Sequence, residues 1–439
     1  MIRRVFLIVC VIALTSLSSF GAAYSASANA RATEAMRTWY RLVLDLVRHT
    51  ATYSPPVASR SFAYIGIAAF ESVAAGSDEL VTLTGQLNAM PPMPGREPGK
   101  TYDEAVVVNA AIAHAVAELF ENTGPAGQRA IAALSAKQNA WVMEGVAEDV
   151  AARSQAFGEA VARRVLEWAE DDGGAVVENM GFPHEYKLTD GAAHWVPTSL
   201  VAQQQTPLLP QWGQNRTFVL ESGATCSLPP PPDYSEQPGS AFYKEAYEVY
   251  ETVRNLTAEQ EAIAKFWSDD PMLSATPPGH WLSIALLIAE RDQLGLEQSV
   301  DLFARLGIVL SDSFVACWQQ KYVYDLVRPL TYIRRLIDPE WDTILNTPPF
   351  PEYPSGHSTQ SGAAAAVLTA IFGEDFAFED PSKIADGMKL RAYSSFWDAA
   401  NEAGISRLYG GIHFRAAIDR GLDQGRCIGA HVNALKTRR

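Results

Sequence analysis

Cysteine is scarce in this 439-residue chain. There are four, Cys10, Cys226, Cys317 and Cys427, and Cys10 falls in a stretch that reads as a removable leader. At most one disulfide can then form within the mature chain, with one thiol left over, which excludes a scaffold held together by disulfides. Positive charge is also short: Lys plus Arg total 35 against 50 for Asp plus Glu, a net of −15 with a pI near 5.0. That balance opposes non-specific attraction to nucleic acid or to an anionic bilayer. Alternating strand patterns are almost missing, and no run outside the leader approaches the ~20 apolar residues that a membrane span needs. There is no P-loop and no dinucleotide fingerprint, and His184 and His194 lack the HExxH spacing of a zinc protease.

What is present is apolar mass. Hydrophobic residues make up 48% of the chain, enough for two or three packed units or one large divided domain. Residues 1–30 carry two arginines, a short apolar run from Val5 to Leu14 and small residues ending in Ala28-Asn29-Ala30. This is the pattern of a secretory signal cut after Ala28 or Ala30, and it implies export to the periplasm or the medium. Its removal takes away Arg3 and Arg4 and no carboxylates, leaving 33 minus 50, or −17.

Apolar residues recur with helical spacing over 39–53, 58–75 and 104–122. Further helices are expected at about 141–169, 239–253, 258–267, 280–294, 297–327, 357–372, 382–401 and 414–436, each bounded by Gly, Pro or a capping residue. Between Asp171 and Gln237 turn residues dominate. The expected fold is all-α: an N-terminal bundle over 31–170, an irregular Pro/Gly-rich connection over 171–240, and a C-terminal bundle over 241–439.

Three carboxy-terminal segments carry chemistry. In KYVYDLVRP, Lys321 and Arg328 stand seven apart and would share a helix face, although Pro329 disfavours helix through Arg328. In FPEYPSGHSTQSG, Ser355, Gly356 and His357 precede an Ala-rich helix, so a hydroxyl and free backbone N–H groups can converge on an anion. In SRLYGGIHFRAA, the pair Gly410-Gly411 lets the chain turn so that Arg407 and His413 point into one pocket. Three cations, a hydroxyl, a glycine turn and two histidines in an acidic protein describe a tetrahedral oxyanion site, with one histidine to bond the central atom and one to move protons.

The order Lys, Arg-Pro, Pro-Ser-Gly-His, Ser-Arg and a later His resembles the vanadium-dependent haloperoxidase and type 2 phosphatidic acid phosphatase superfamily. The looser phrases HWVPT (194–198), PQWG (210–213) and FWSDDP (266–271) are similar to its bacterial haloperoxidase-like branch. The resemblance implies vanadate as cofactor, with Lys321, Arg328, Ser355, Gly356 and Arg407 binding its oxygens, His413 bonding the metal and His357 serving as acid/base. It further implies that hydrogen peroxide binds as His357 accepts a proton, that Lys321 polarises the bound peroxide, and that a halide attacks it to give hypohalous acid for a small organic acceptor. No nucleic acid or integral membrane partner is implied, and a homo-oligomer is compatible with it. Phe350 and Trp318 resemble halide neighbours of the chloride-oxidising type, or are packing aromatics.

The same residues could serve an acid phosphatase in which His413 attacks phosphorus and His357 protonates the leaving alcohol. That branch places an Asp four residues after its nucleophilic histidine, where this chain has Ala417. The departure weighs against the phosphatase and leaves the orientation of His413 without an identified partner. Asp269 and Asp270 could support an active-site Arg through an ion pair, with His280 nearby, but surface or capping roles are the expectation for all three.

Overall fold

The computed structural model describes residues 28–175, 186–199 and 205–439. The expected leader through residue 27 and His184 lie outside the described residues; residues 28–30 belong to the first helix, α1, whose described part is 28–48. It is followed by α2 (Pro55–Ala74), α3 (Glu104–Leu119), α4 (Gly124–Val142) and α5 (Glu148–Ala169). The connection that follows carries a short 3-10 turn, Trp212–Gln214, and an isolated bridge from His194 to Leu326. The carboxy-terminal half contributes α6 (Ala241–Arg254), α7 (Ala258–Phe266), α8 (Thr276–Arg291), α9 (Leu296–Tyr324), α10 (Pro329–Leu336), α11 (Gly356–Phe372), α12 (Phe396–Tyr409) and α13 (Arg415–Asn433). The fold is all-α as expected. No helix among the described residues is long and apolar enough to cross a membrane.

The largest apolar core runs from Trp39 and Phe62 through Phe303 and Phe314 to Ala363 and Ile428, so helices of both halves share one interior. A second core under α6 and α10 includes Phe242, Tyr332, Tyr353 and Phe414. Helix α9, the longest of those described in full, is buried along most of its length and packs against α2 on one side and α11 on another. Crossing α11 and α13 depends on missing side chains: a Cβ on Gly425 would lie 2.3 Å from the Thr359 carbonyl, and one on Gly421 would lie 2.9 Å from that of Ser355. That close approach locks the start of α11 against α13.

Four local expectations need correction. Residues 382–401 are not one helix. A 3-10 turn at Ile384–Asp386 lies between the two strands of an antiparallel pairing, β1 (Phe378–Asp380) and β2 (Arg391–Tyr393), and helix resumes only at Phe396, where Ser395 caps it. Both α4 and α10 were missing from the expected set, α10 because Pro329 marks a helix start in this chain as well as a stop. Arg328 does not share a helix face with Lys321, since α9 ends at Tyr324 with Asp325 in the left-handed region (φ 47°). Cys226 and Cys427 form the one available disulfide, tying the connection to α13, and Cys317 is a buried free thiol.

Candidate active site

His413 sits two residues before α13 and is 3% exposed. Its Nδ1 lies 2.8 Å from Oε1 of the fully buried Glu352, and the same oxygen accepts the Phe414 backbone N–H at 2.9 Å. An oxygen that already accepts one hydrogen calls for an Nδ1–H donor, which leaves the Nε2 lone pair of His413 as the acceptor. In this arrangement Nε2 faces Arg328 Nη1 at 3.1 Å. Burial, reinforced by Arg328, Lys321, Arg407 and His357, holds the imidazole well below its usual range, so the ring is neutral and nucleophilic at pH 7. Glu352 is itself pushed up by burial to about 8, with Arg328 and Lys321 pulling the other way. Its Oε1 can accept in either protonation state.

Both arginines are buried cations with capacity to spare. Arg328 donates from Nε to the Phe350 carbonyl (2.9 Å) and from Nη1 to that of Ile412 (3.0 Å), and its Nη2 has no hydrogen-bond partner. Arg407 donates from Nη1 to the Trp267 carbonyl (2.7 Å), and its Nε has none. Burial lowers Arg328 to about 9 and Arg407 to about 10, so each stays charged at neutral pH.

Ser355 caps α11: its Oγ accepts from the Ser358 backbone N–H (3.3 Å) and from the Ser358 hydroxyl (2.9 Å), which leaves its own O–H to donate outward. Gly356 and His357 occupy the first turn of α11, where backbone N–H groups have no partner within the helix. A Cβ on Gly356 would make only ordinary contacts, 3.7 Å to Trp318, so the protein's own packing does not require glycine there. His357 is 13% exposed, its Nε2 lacks a hydrogen-bond partner and the nearest acid oxygen, Asp269 Oδ2, is 3.9 Å away.

Lys321 is placed differently from expectation. Its ammonium donates to three backbone carbonyls, those of Pro351 (2.9 Å), Glu352 (3.0 Å) and Pro354 (2.5 Å). All three of its hydrogens are thereby engaged, so it ties down the loop that carries Glu352 and Ser355 and contributes field to the site. Burial lowers it to about 7. Phe350 walls the cations, with Lys321 Nζ and Arg328 Cζ each 5.0 Å from its ring centroid. Trp318 packs on Phe350 at 4.9 Å, and its indole N–H is donated to the Leu208 carbonyl, which leaves it no hydrogen to offer a halide.

Sequence reasoning misplaced one group. Asp269 and His280 are not surface or capping residues; they are 2% and 4% exposed. His280 Nδ1 lies 2.9 Å from Asp269 Oδ2, its Nε2 lies 2.7 Å from Asp380, and Lys383 donates to Asp269 at 2.7 Å. The segment from Asp269 to Thr276 holds three non-glycine residues at positive φ, Asp269, Met272 and Thr276. Such a backbone persists only where its surroundings over-determine it. Asp270 is half-buried and exerts its field on Arg407.

Buried donors on Arg328 and Arg407, a free hydroxyl on Ser355, helix N–H groups and a histidine whose Nε2 lone pair faces Arg328 fit one ligand, a multiply charged oxyanion. A family model for the VCPO second helical-bundle domain matches residues 301–339 and 337–438. The vanadium chloroperoxidase of Curvularia inaequalis is 26% identical over 217 residues, and the match spans 36% of this chain and 36% of that protein, about a third of its length. Among solved structures, the first bacterial vanadium-dependent iodoperoxidase superposes with a TM-score of 0.85 at 36% identity, covering 92% of this chain and 97% of that one. A holo-type bacterial vanadium-dependent chloroperoxidase shares the fold, with a TM-score of 0.71 at 16% identity over 88% of this chain and 93% of that one. The chain belongs to the vanadium haloperoxidase family.

Proposed function

We propose that this protein is a vanadium-dependent haloperoxidase that oxidises a halide with hydrogen peroxide to hypohalous acid at a vanadate held by His413. The observation that carries the reading is the Nε2 lone pair of His413, presented by Glu352 among buried donors that have no partner in the protein. Vanadate, when bound, supplies a Lewis-acidic centre that activates peroxide without changing its own oxidation state. Arg328 Nη2, Arg407 Nε, the Ser355 hydroxyl and the N–H groups at the start of α11 would hold its oxygens. Charge-assisted hydrogen bonds of this kind contribute ~1.5 to 3 kcal/mol each, enough to bind a multiply charged anion against the acidic net field.

His357 stands uncharged because burial first, and Arg407 next, hold it well below the usual imidazole range. A neutral ring beside the oxyanion can take the proton that hydrogen peroxide loses and later return one to a leaving oxygen. Lys321 raises the positive field from behind the loop, and Phe350 keeps water off the two cations. Iodide, the most easily oxidised of the heavier halides, is the assay substrate of choice, and the relative at 36% identity is named an iodoperoxidase. The small-residue leader supports export to the periplasm or the medium.

An acid phosphatase is the second reading, because a histidine freed at Nε2 could equally attack phosphorus. Vanadate-dependent oxidation of iodide and bromination of a phenol dye, beside p-nitrophenyl phosphate hydrolysis by the vanadate-free protein, separate the two. Halide oxidation that depends on added vanadate supports the proposal. Phosphatase turnover without it, and no halide product with it, refutes the proposal.

A further inference from the structure

Asp269 is the only carboxylate among the described residues placed within 4 Å of His357, and it does not act alone. On its other side it meets two cations, Lys383 at 2.7 Å and His280 at 2.9 Å, and His280 is held from behind by Asp380 at 2.7 Å and stacked on Trp267 at 4.5 Å. All four charged groups are buried, and the two cations and two anions cancel. The cluster borders a cavity of about 370 Å³ lined by Asp269, His280, Ser382 and Lys383, among others.

A lone buried carboxylate this close to an imidazole favours the protonated ring. Such a ring could not accept a proton. We propose that Lys383 and His280 are positioning residues for His357: they offset the charge of Asp269, so that the ring beside it remains neutral and able to accept a proton. Asp269 is accordingly held far below the ordinary carboxylate range: burial would raise it, but His280 and Lys383 outweigh that effect. The charged or titratable groups that bear on His357 are Asp269 before α8, His280 on α8, Lys383 after β1, Arg407 on α12 and His413 before α13. Removal of Lys383 changes the balance without touching the oxyanion donors.

This inference rests on the reading of His357 as the proton acceptor, and its test is made on vanadate-free protein so that it stands apart from halide oxidation. Histidine ring resonances are followed by NMR against pH, with His357 assigned from an H357Q variant. In the native chain His357 shows no inflection across the ordinary imidazole range. In K383M its midpoint rises by about one pH unit or more. K383Q, which retains a hydrogen-bond donor for Asp269, gives the same rise should K383M fold poorly, and K383R gives none. Adding D269N to K383M returns His357 to its native behaviour, because the uncompensated charge is then gone. A His357 midpoint that does not move in K383M or K383Q, or that stays raised in the double variant, overturns the inference whether or not the enzyme oxidises halide.

Discussion

His413 and Glu352, 61 positions apart in sequence, meet through a 2.8 Å contact between Nδ1 and Oε1 in a part of the fold where both are buried. This contact fills the role that Ala417 leaves vacant. The carboxylate comes from the loop before α11 instead of from the helix after the histidine, and Lys321 holds that loop by donating to the Glu352 carbonyl. Glu352→Ala is expected to weaken vanadate binding by roughly 10- to 100-fold, the usual cost of removing a group that orients a ligating histidine. Glu352→Gln, which keeps an acceptor, loses less. Titration of the apoprotein with vanadate by calorimetry measures both, and an unchanged affinity in the alanine variant would remove Glu352 from the account.

The two histidines have separable duties, so their variants should fail differently. His413→Ala loses the ligand and with it tight vanadate binding. His357→Ala keeps most of the binding but loses halide oxidation by about 10²- to 10⁴-fold, the range of general acid–base assistance. Binding and turnover measured on the same preparations test the split. Equal losses of affinity in both would contradict it.

Stability carries a pH signature from His280. Burial would lower its pKa, but Asp269 and Asp380 outweigh burial and raise it to about 9 from 6.5. A raised value means that the folded state holds the proton more tightly than the unfolded chain does. The stabilisation is therefore complete below pH 6.5 and is lost as pH rises through 9. The urea-unfolding difference between the native protein and His280→Gln should accordingly shrink between those limits. A difference that grows with pH would show that the ring is neutral in the fold.

The disulfide between Cys226 and Cys427 closes a separation of 201 residues and anchors the connection beside Gln424, whose side chain donates to the Cys226 carbonyl at 3.2 Å. On a chain-entropy estimate, closing a loop of that length contributes about 5 kcal/mol. Cys226→Ser with Cys427→Ser should lower the urea midpoint without a change in the far-UV spectrum at low denaturant. No shift in the midpoint would mean that the core shared by both halves dominates.

The sequence made the ligand set legible because its members sit in short phrases with strong local geometry. Ser355-Gly356-His357 must open a helix, and Gly410-Gly411 must turn the chain; Gly411 does so at φ +80°. What stayed hidden depends on distance in the chain. Glu352 was in plain view five residues before His357, but nothing local says that it reaches His413. The cluster of Asp269, His280, Asp380 and Lys383 draws on three separate segments, and its residues look like ordinary surface charges until the fold buries them. Lys321 was recognised by its place in the motif, whereas its three carbonyl partners could be found only from the folded loop. The missed α4 has few buried positions, Ile131, Gln138 and Val142, so it lacks the apolar stripe on which periodicity relies.

The most direct measurement is the electron density of crystals soaked in vanadate. The account predicts a metal-centred peak bonded to His413 Nε2, with its oxygens on Arg328, Arg407 and the Ser355–Gly356 turn and with Glu352 still on Nδ1. A peak bonded elsewhere, or an intact pairing of His413 Nε2 with Arg328 Nη1 at saturating vanadate, would contradict it.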